Sequence, residues 1–378
     1  MQVKYAYLTQ QFARGTPLRN DIEAELAQVV DAGDFTLGKA VEEFEVAFAA
    51  AVGARYAVGV RSGTDALYLA MKALGVGLGD KVATVPNTFP ATAGAIIQAG
   101  AAPVFVDVSP DNYLLPHVGP QFPTVDGVKV VIPVAWGGDF VPLTEERIGL
   151  VNNDTKKVLS FPFIVHDACQ AVGTTWKGKG IGGLGKACAF SLHPLKNVNV
   201  WGDGGVVTTN DPFLAEKVKL LRNHGLLDRD TWLEPGINGR LETTAAVVGK
   251  HVLKLLPEIT AKRQKNAALY DEILSTVKGV KVPPRNPDVA HAFHLYQIMA
   301  NRREELIRFL AAREVEVKVH YGRPLHLQPA LHGMYTIGSY PVAEAQASRI
   351  LSLPIHQFLG PAEVEFVANS IRDFYKGA

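Results

Sequence analysis

An α/β fold with a mainly parallel sheet, followed by a smaller α+β unit, is what this sequence predicts. Three observations carry it. Short apolar runs alternate with helical patterns between residues 56 and 134, the signature of right-handed βαβ crossovers. Val128–Val134 is an apolar run suited to a strand buried on both faces. Beyond a long helical pattern over 242–276, strands and helices mix without strict alternation.

The elements follow in order. Residues 18–32 read as a helix, with Ile22, Leu26 and Val30 four apart on one face. Residues 39–51 read as a second, with Val41, Phe44 and Phe48 as its stripe. Each runs into a glycine, Gly33 and Gly53, where a left-handed cap is commonly needed. Strand Tyr56–Val60, helix Thr64–Leu74, strand Lys81–Val85, helix Ala91–Gln98 and strand Pro103–Val108 come next. The stretch Val151–Phe163, with Asn152, Asn153 and Asp154, reads as a surface break. Strands Ile164–Asp167, Ala187–Leu192 and Val206–Thr209 complete the large sheet. In the second unit the Pro-rich turn Val282–Pro287 leads to strand His294–Ala300, helix Arg303–Arg313 and strand Val315–Tyr321. Helices near 342–351 and 361–375 close it.

At 378 residues the chain suggests roughly two domains. We divide it into 1–250, a large α/β unit with an N-terminal helical segment, and 251–378, a small α+β unit. Lys and Arg number 38 against 37 Asp and Glu. That balance offers no broad footprint for nucleic acid or an anionic membrane. Two cysteines, Cys169 and Cys188, make no disulfide framework and fit a reducing compartment; both read as small buried residues. The N-terminus lacks the apolar core of a signal peptide, and no apolar stretch is long enough to span a bilayer. The expected class is a cytoplasmic enzyme without nucleic-acid or membrane partners.

Four segments could carry chemistry. Arg61-Ser62-Gly63-Thr64-Asp65-Ala66 lies between a strand and a helix start. Gly63 allows close backbone approach, Thr64 is a good N-cap, and a helix N-terminus offers free N–H groups to an anion; taken alone, an ordinary capped turn is the favoured reading. Gly178-x-Gly180-x-Gly182-Gly183-x-Gly185 contains a dinucleotide-like spacing, but strand character follows it where a helix should. We read a loop that lets backbone pack closely and reject NAD. His166-Asp167-Ala168-Cys169-Gln170 ends an apolar strand, where ligands bind in α/β sheets; a helix cap is the plainer reading. No paired ligand cluster of zinc-like spacing lies nearby, so no metal is expected. Ser191-Leu192-His193-Pro194-Leu195-Lys196-Asn197 puts one lysine among apolar residues. Desolvation lowers a lysine's pKa and readies it for Schiff-base chemistry; snorkelling explains a single lysine as well. Together the segments supply a phosphate turn, an acid for a heterocycle nitrogen, a hydroxyl and an amine. That set matches the needs of pyridoxal phosphate.

In these motifs the chain resembles the DegT/DnrJ/EryC1/StrS family of sugar aminotransferases, pyridoxal-phosphate enzymes of the aspartate-aminotransferase fold (fold type I). The likeness runs from Gly33-Asp34-Phe35-Thr36-Leu37-Gly38 through Ser62–Leu67, Asn87-Thr88-Phe89, Phe105–Val108, His166–Ala171 and Ser191–Gly205. It continues at Leu221–Gly225 and Pro324–Pro329. The resemblance implies roles. Lys196 would form the internal aldimine and shuttle the proton, and Asp167 would pair with the pyridine nitrogen. Gln170 would bond near the phenolic oxygen, and Phe89 would stack on the ring. Gly63 and Thr64 backbone and the Ser191 hydroxyl would hold the phosphate. Asn238 matches a position that reaches the phosphate from a partner subunit, implying a homodimer with shared sites. L-glutamate is the implied donor, and a keto sugar linked to a nucleotide diphosphate the implied acceptor. His320 and Tyr321 are substrate-site candidates.

Two departures fall where the acceptor should bind. Ala135-Trp136-Gly137-Gly138 replaces a His-Leu-Tyr-Gly type segment, and His320-Tyr321-Gly322-Arg323 replaces the usual His-Tyr-Pro run. They are expected to alter the acceptor and leave the cofactor site intact. Arg323 could meet an acceptor phosphate or be a surface arginine. Alternatives are a family enzyme acting on a sugar phosphate, cyclitol or other keto compound, and a cofactor-binding regulatory module without turnover. Arg222, Asn223 and His224 receive no role, and His117, His251, His291 and His332 are read as structural.

Overall fold

The structure is a computed structural model and describes residues 1–116, 127–143, 150–151, 158–160 and 163–377. Seven strands form the central sheet: β1 (Tyr56–Val60), β2 (Lys81–Thr84), β3 (Ala102–Phe105), β4 (Val128–Ile132), β5 (Phe163–Asp167), β6 (Ala187–Ser191) and β7 (Gly205–Thr209). Their spatial order is β1-β7-β6-β5-β4-β2-β3. β7 runs antiparallel to both β1 and β6. The pairs β6–β5, β5–β4, β4–β2 and β2–β3 are parallel. The expected α/β fold with a mainly parallel sheet is therefore found. His117 and the Asn152-Asn153-Asp154 break lie outside the described residues.

Side chains alternate across the sheet, so neighbours along one strand enter different cores. Val206 and Phe190 pack with Phe44, Phe48 and Leu241 on one face. Val207 and Ala189 pack with Leu67, Leu69 and Val130 on the other. Helix Lys39–Val52 buries Val41, Phe44 and Phe48, as its period requires. In helix Pro17–Ala32 the buried face holds Ile22 and Val29, whereas Val30 is exposed. A spacing of four drifts about 40° per step around a 3.6-residue helix, so the stripe that starts at Ile22 returns at Val29. Both helices end on left-handed glycines, Gly33 at φ 67° and Gly53 at φ 74°.

Several elements differ from the sequence reading. The helical pattern over 242–276 is two helices, Thr243–Leu253 and Leu256–Leu274. Pro257 lacks an N–H and its ring collides with the preceding turn, which forces the break. Val315–Tyr321 is no strand: Val315 bridges Val3 and Lys318 bridges Ser352, so no single ladder can grow. Helix Pro341–Ala347 stops early, and Ile350–Leu353 becomes a buried strand beside Tyr296–Ala300. A short apolar run fits either period, and here the sheet wins. Helix Pro212–Arg222 went unread, although Asp211 caps it and Pro212 opens it.

That helix gives Arg222 a role. Its guanidinium is buried, pairs with Glu45, and donates to the Gly59 carbonyl at 2.6 Å. Glu45 in turn accepts from the Gly59 N–H at 2.7 Å. Three elements are thus tied beneath β1, the strand that leads into the Ser62–Gly63 turn. Removing one partner leaves an uncompensated buried charge. Arg222→Met should therefore lower stability by about 3–5 kcal/mol. Urea unfolding checks this; a loss below about 1 kcal/mol would contradict the pairing's importance.

Candidate active site

The parallel strands deliver their carboxyl ends to one edge, where α/β proteins bind ligands. β1 ends at Val60 and passes into Ser62-Gly63-Thr64. β2 leads to Asn87-Thr88-Phe89, β4 to Ala135–Gly138, β5 ends at Asp167 and β6 at Ser191. Every segment singled out for cofactor chemistry except the one with Asn238 follows a strand of this sheet.

The turn after β1 has the geometry to receive an anion. The helix spans Gly63–Ala73, and its N-cap is Ser62, not Thr64: the Ser62 hydroxyl accepts from the Asp65 N–H at 3.0 Å. This shift frees the Gly63 and Thr64 N–H groups, which head the helix without intrahelical partners. Gly63 must be glycine. A Cβ there would stand 2.8 Å from Ser191 Cβ and 2.9 Å from Cys169 Sγ. The turn, the Ser191 hydroxyl and the end of β5 are therefore in direct apposition. Ser191 Oγ accepts from the His193 N–H at 3.3 Å.

Asp167 is buried and held at both oxygens. Thr92 donates to Oδ2 at 2.7 Å, and the Cys169 N–H donates to Oδ1 at 3.2 Å. Thr88 and Thr92 hydroxyls lie 2.9 Å apart, extending the chain of bonds. Sequence reasoning missed both threonines. Their i, i+4 spacing around the start of helix Pro90–Gln98 was the available signal. Burial lowers the pKa of Lys196, and the neighbouring Cys169 and Asp167 oppose that shift. Burial pushes the Cys169 thiol well up, with Asp167 adding to the shift. Burial raises Cys188 to about 12. Both cysteines are free thiols and stay protonated, which fits small packed residues.

Gln170 is oriented by the turn after β4. Its Oε1 accepts from the Gly137 N–H at 2.7 Å, which leaves its amide nitrogen to donate elsewhere. The Ala135–Gly138 segment thus touches Gln170 through a backbone N–H, a contact that needs no particular side chain there. Trp136 meets Tyr321 edge-on at 5.5 Å, and Tyr321 lies 5.8 Å from Phe89. Burial and then the Asp167 charge raise the Tyr321 hydroxyl's pKa, and the neighbouring Gln170 opposes the shift. His320 Nδ1 lies 2.9 Å from Ser352 Oγ. Its pKa falls to about 4 through burial, then through Lys196 and Lys318.

The remaining candidates divide. Asn238 is exposed on a segment bridged to Asn223, next to the Gly239 carbonyl that binds the Arg61 N–H at 2.9 Å. Among the described residues no hydrogen bond joins it to the other candidates. Arg323 is exposed. His166 turns away from Asp167, its Nε2 3.1 Å from the Leu143 carbonyl. The glycine-rich loop packs backbone on backbone: a Cβ on Gly180 would stand 2.3 Å from the Val52 carbonyl oxygen. No described helix is long and apolar enough to cross a membrane.

Residues 17–372 match the model of the DegT/DnrJ/EryC1/StrS aminotransferase family. A "pleiotropic regulatory protein" of Geobacillus stearothermophilus is 35% identical over 384 residues, covering 100% of this chain and 99% of the relative. The dTDP-3-amino-3,4,6-trideoxy-alpha-D-glucose transaminase of Streptomyces venezuelae is 36% identical over 363 residues, covering 94% of this chain and 93% of that protein. The crystal structure of S. venezuelae DesV in complex with a ketimine intermediate superposes with a TM-score of 0.89 at 34% identity, covering 99% of both chains. The chain is a member of the DegT/DnrJ/EryC1/StrS aminotransferase family.

Proposed function

We propose that this protein is a homodimeric, pyridoxal-phosphate-dependent aminotransferase that moves the amino group of L-glutamate to a keto sugar carried on a nucleotide diphosphate. The observation that carries the reading is the desolvated Lys196 beside the doubly held Asp167 carboxylate. The residues fit the cofactor. Gly63 and Thr64 present free N–H groups beside Ser191 for its phosphate. Asp167 would hold the ring nitrogen protonated, the Gln170 amide would donate to the phenolic oxygen, and Phe89 would cover a ring face. Asn238, exposed in its own chain, is suited to reach the phosphate of a second copy.

When bound, the cofactor supplies an electron sink for charge developing at the substrate's α-carbon. The chain's own groups do the rest. Lys196 would hold the cofactor and, with its amine free, would take a proton at Nζ from the donor carbon and later return one to the acceptor carbon. Its lowered pKa makes the neutral amine available at a lower pH than for an exposed lysine. Asp167, held by Thr92 and the Cys169 N–H, would face the ring nitrogen. Trp136, Tyr321 and Phe89 form a run of aromatic contacts that would border the acceptor.

Acceptor identity is tested with glutamate and a panel of nucleotide-linked keto sugars. Formation of 2-oxoglutarate with at least one of them, and with no free sugar phosphate or cyclitol, is expected. Turnover only with the free compounds would move the acceptor class. A regulatory reading finds support in the name of the Geobacillus relative. Against it stands the complete set of reacting groups at Lys196 and Asp167.

A further inference from the structure

The backbone of Asp167 is clamped on both sides. Its N–H donates to the Pro133 carbonyl at 3.0 Å, and its carbonyl accepts from the Ala135 N–H at 2.9 Å. What remains free is the rotation of the carboxylate, and the torsion that turns an aspartate's carboxylate is soft. One anchor, the Cys169 N–H on Oδ1 at 3.2 Å, lets the carboxylate plane swing about that contact. The second anchor, Thr92 on Oδ2 at 2.7 Å, removes this freedom. Thr92 is 1% exposed and Thr88 3%, so bulk water does not stand in for either hydroxyl.

The direction of the bonds is forced. A carboxylate only accepts, and a hydroxyl has a single proton. Thr92 gives its proton to Asp167, so the 2.9 Å contact between the two threonines carries the proton of Thr88. The order is Thr88 to Thr92 to Asp167. The Thr88 proton has a second effect. Thr92 is the third residue of helix Pro90–Gln98. A threonine on a helix divides between rotamers, because its hydroxyl can turn back to a carbonyl three or four residues earlier, here that of Phe89 or Thr88. A donor at Thr88 meets the Thr92 oxygen only where it now stands, and so selects the rotamer that faces Asp167. Bonds in such a chain also polarise one another. Phe89, the N-cap of the same helix, lies between the two threonines in the chain. One short segment therefore brings both the ring-covering phenyl and the support of Asp167.

We propose that Thr88 and Thr92 are positioning residues that act in series: Thr88 fixes Thr92, and Thr92 holds the Asp167 carboxylate in the orientation that meets the ring nitrogen of the cofactor. The inference rests on the cofactor reading above and adds the residues that make the Asp167 contact directional.

The test measures binding to the apoenzyme of pyridoxal phosphate and of its 1-deaza analogue, in which a carbon replaces the ring nitrogen. Both carry the same aldehyde and phosphate, so the ratio of their affinities isolates the contribution of the ring nitrogen. Wild-type enzyme is expected to favour pyridoxal phosphate roughly 10–100-fold, the range of a hydrogen bond to a charged group. Thr92→Val keeps the shape and loses the proton, and should lower that preference by about 2–10-fold, the size of one hydrogen bond. Thr92→Ser restores the hydroxyl and should return the preference to near the wild-type value. Thr88→Val should lower it by a smaller factor. Added to Thr92→Val it should lower it no further, because groups acting in series are not additive. A threonine that only braces the fold would weaken both ligands equally, so an unchanged preference in folded Thr92→Val overturns the inference. If Thr92→Val does not fold, Thr88→Val decides: a lowered preference supports the relay, and an unchanged one overturns it. A wild-type enzyme that binds the two ligands alike overturns the pairing of Asp167 with the ring, a failure of the cofactor reading seen before any variant is made.

Discussion

Replacing Lys196 by alanine is expected to abolish transamination, by more than about 10³-fold, because one side chain supplies both the covalent attachment and the proton shuttle. The fold should survive. Lys196 makes no ion pair among the described residues, and its surroundings disfavour its charge. Its backbone N–H bond to the His193 carbonyl at 2.8 Å and its carbonyl's bond from Tyr7 do not need the side chain. The variant should still take up pyridoxal phosphate at the Gly63–Thr64 cradle, but release it on dialysis. Borohydride should leave no cofactor mass on the protein. Unimpaired transamination by Lys196→Ala would refute the assignment.

Asp167→Asn carries the second large effect. The amide keeps the size of the carboxylate and loses its charge. An opposite charge at contact shifts a partner's pKa by roughly 1–3 units, so the ring nitrogen would lose its proton near neutrality. Turnover should fall by about 10²-fold or more, while cofactor binding persists through the phosphate cradle. The hydrogen bonds predict a further signature. Thr92 and the Cys169 N–H both donate to Asp167, and an amide can accept at only one of the two positions. The asparagine would meet one donor with its own NH2, so a modest loss of stability should accompany the kinetic loss. Rates measured by single turnover with glutamate, beside thermal unfolding, separate the two effects. Near-normal turnover would count against the pyridinium pairing.

Much of this was legible in the sequence because each feature had a local cause. The strands from Tyr56 to Thr209 stand where apolar runs lie between turn residues. Gly63, Asp167, Ser191 and Lys196 sit at strand ends, where topology gathers them. What escaped reading depends on partners distant in the chain. Thr92 matters because Asp167 lies 75 residues away. The Gly137 N–H matters because Gln170 turns toward it. Ile350–Leu353 reads as the end of a helix until the strand Tyr296–Ala300 is available to pair with it. The Ser62 cap was misplaced by two residues, since Ser62 and Thr64 are both good caps and only backbone geometry chooses between them.

The central claim is that Lys196, carrying pyridoxal phosphate above Asp167, accepts an amino group from glutamate. An absorbance spectrum of the purified protein with pyridoxal phosphate, recorded before and after adding L-glutamate, tests it most directly. The account predicts a visible yellow band that glutamate replaces with the near-ultraviolet band of the aminated cofactor, with 2-oxoglutarate released in equal amount. A folded protein that forms no yellow band would contradict the role of Lys196, and a yellow band that glutamate leaves unchanged would contradict the proposed donor.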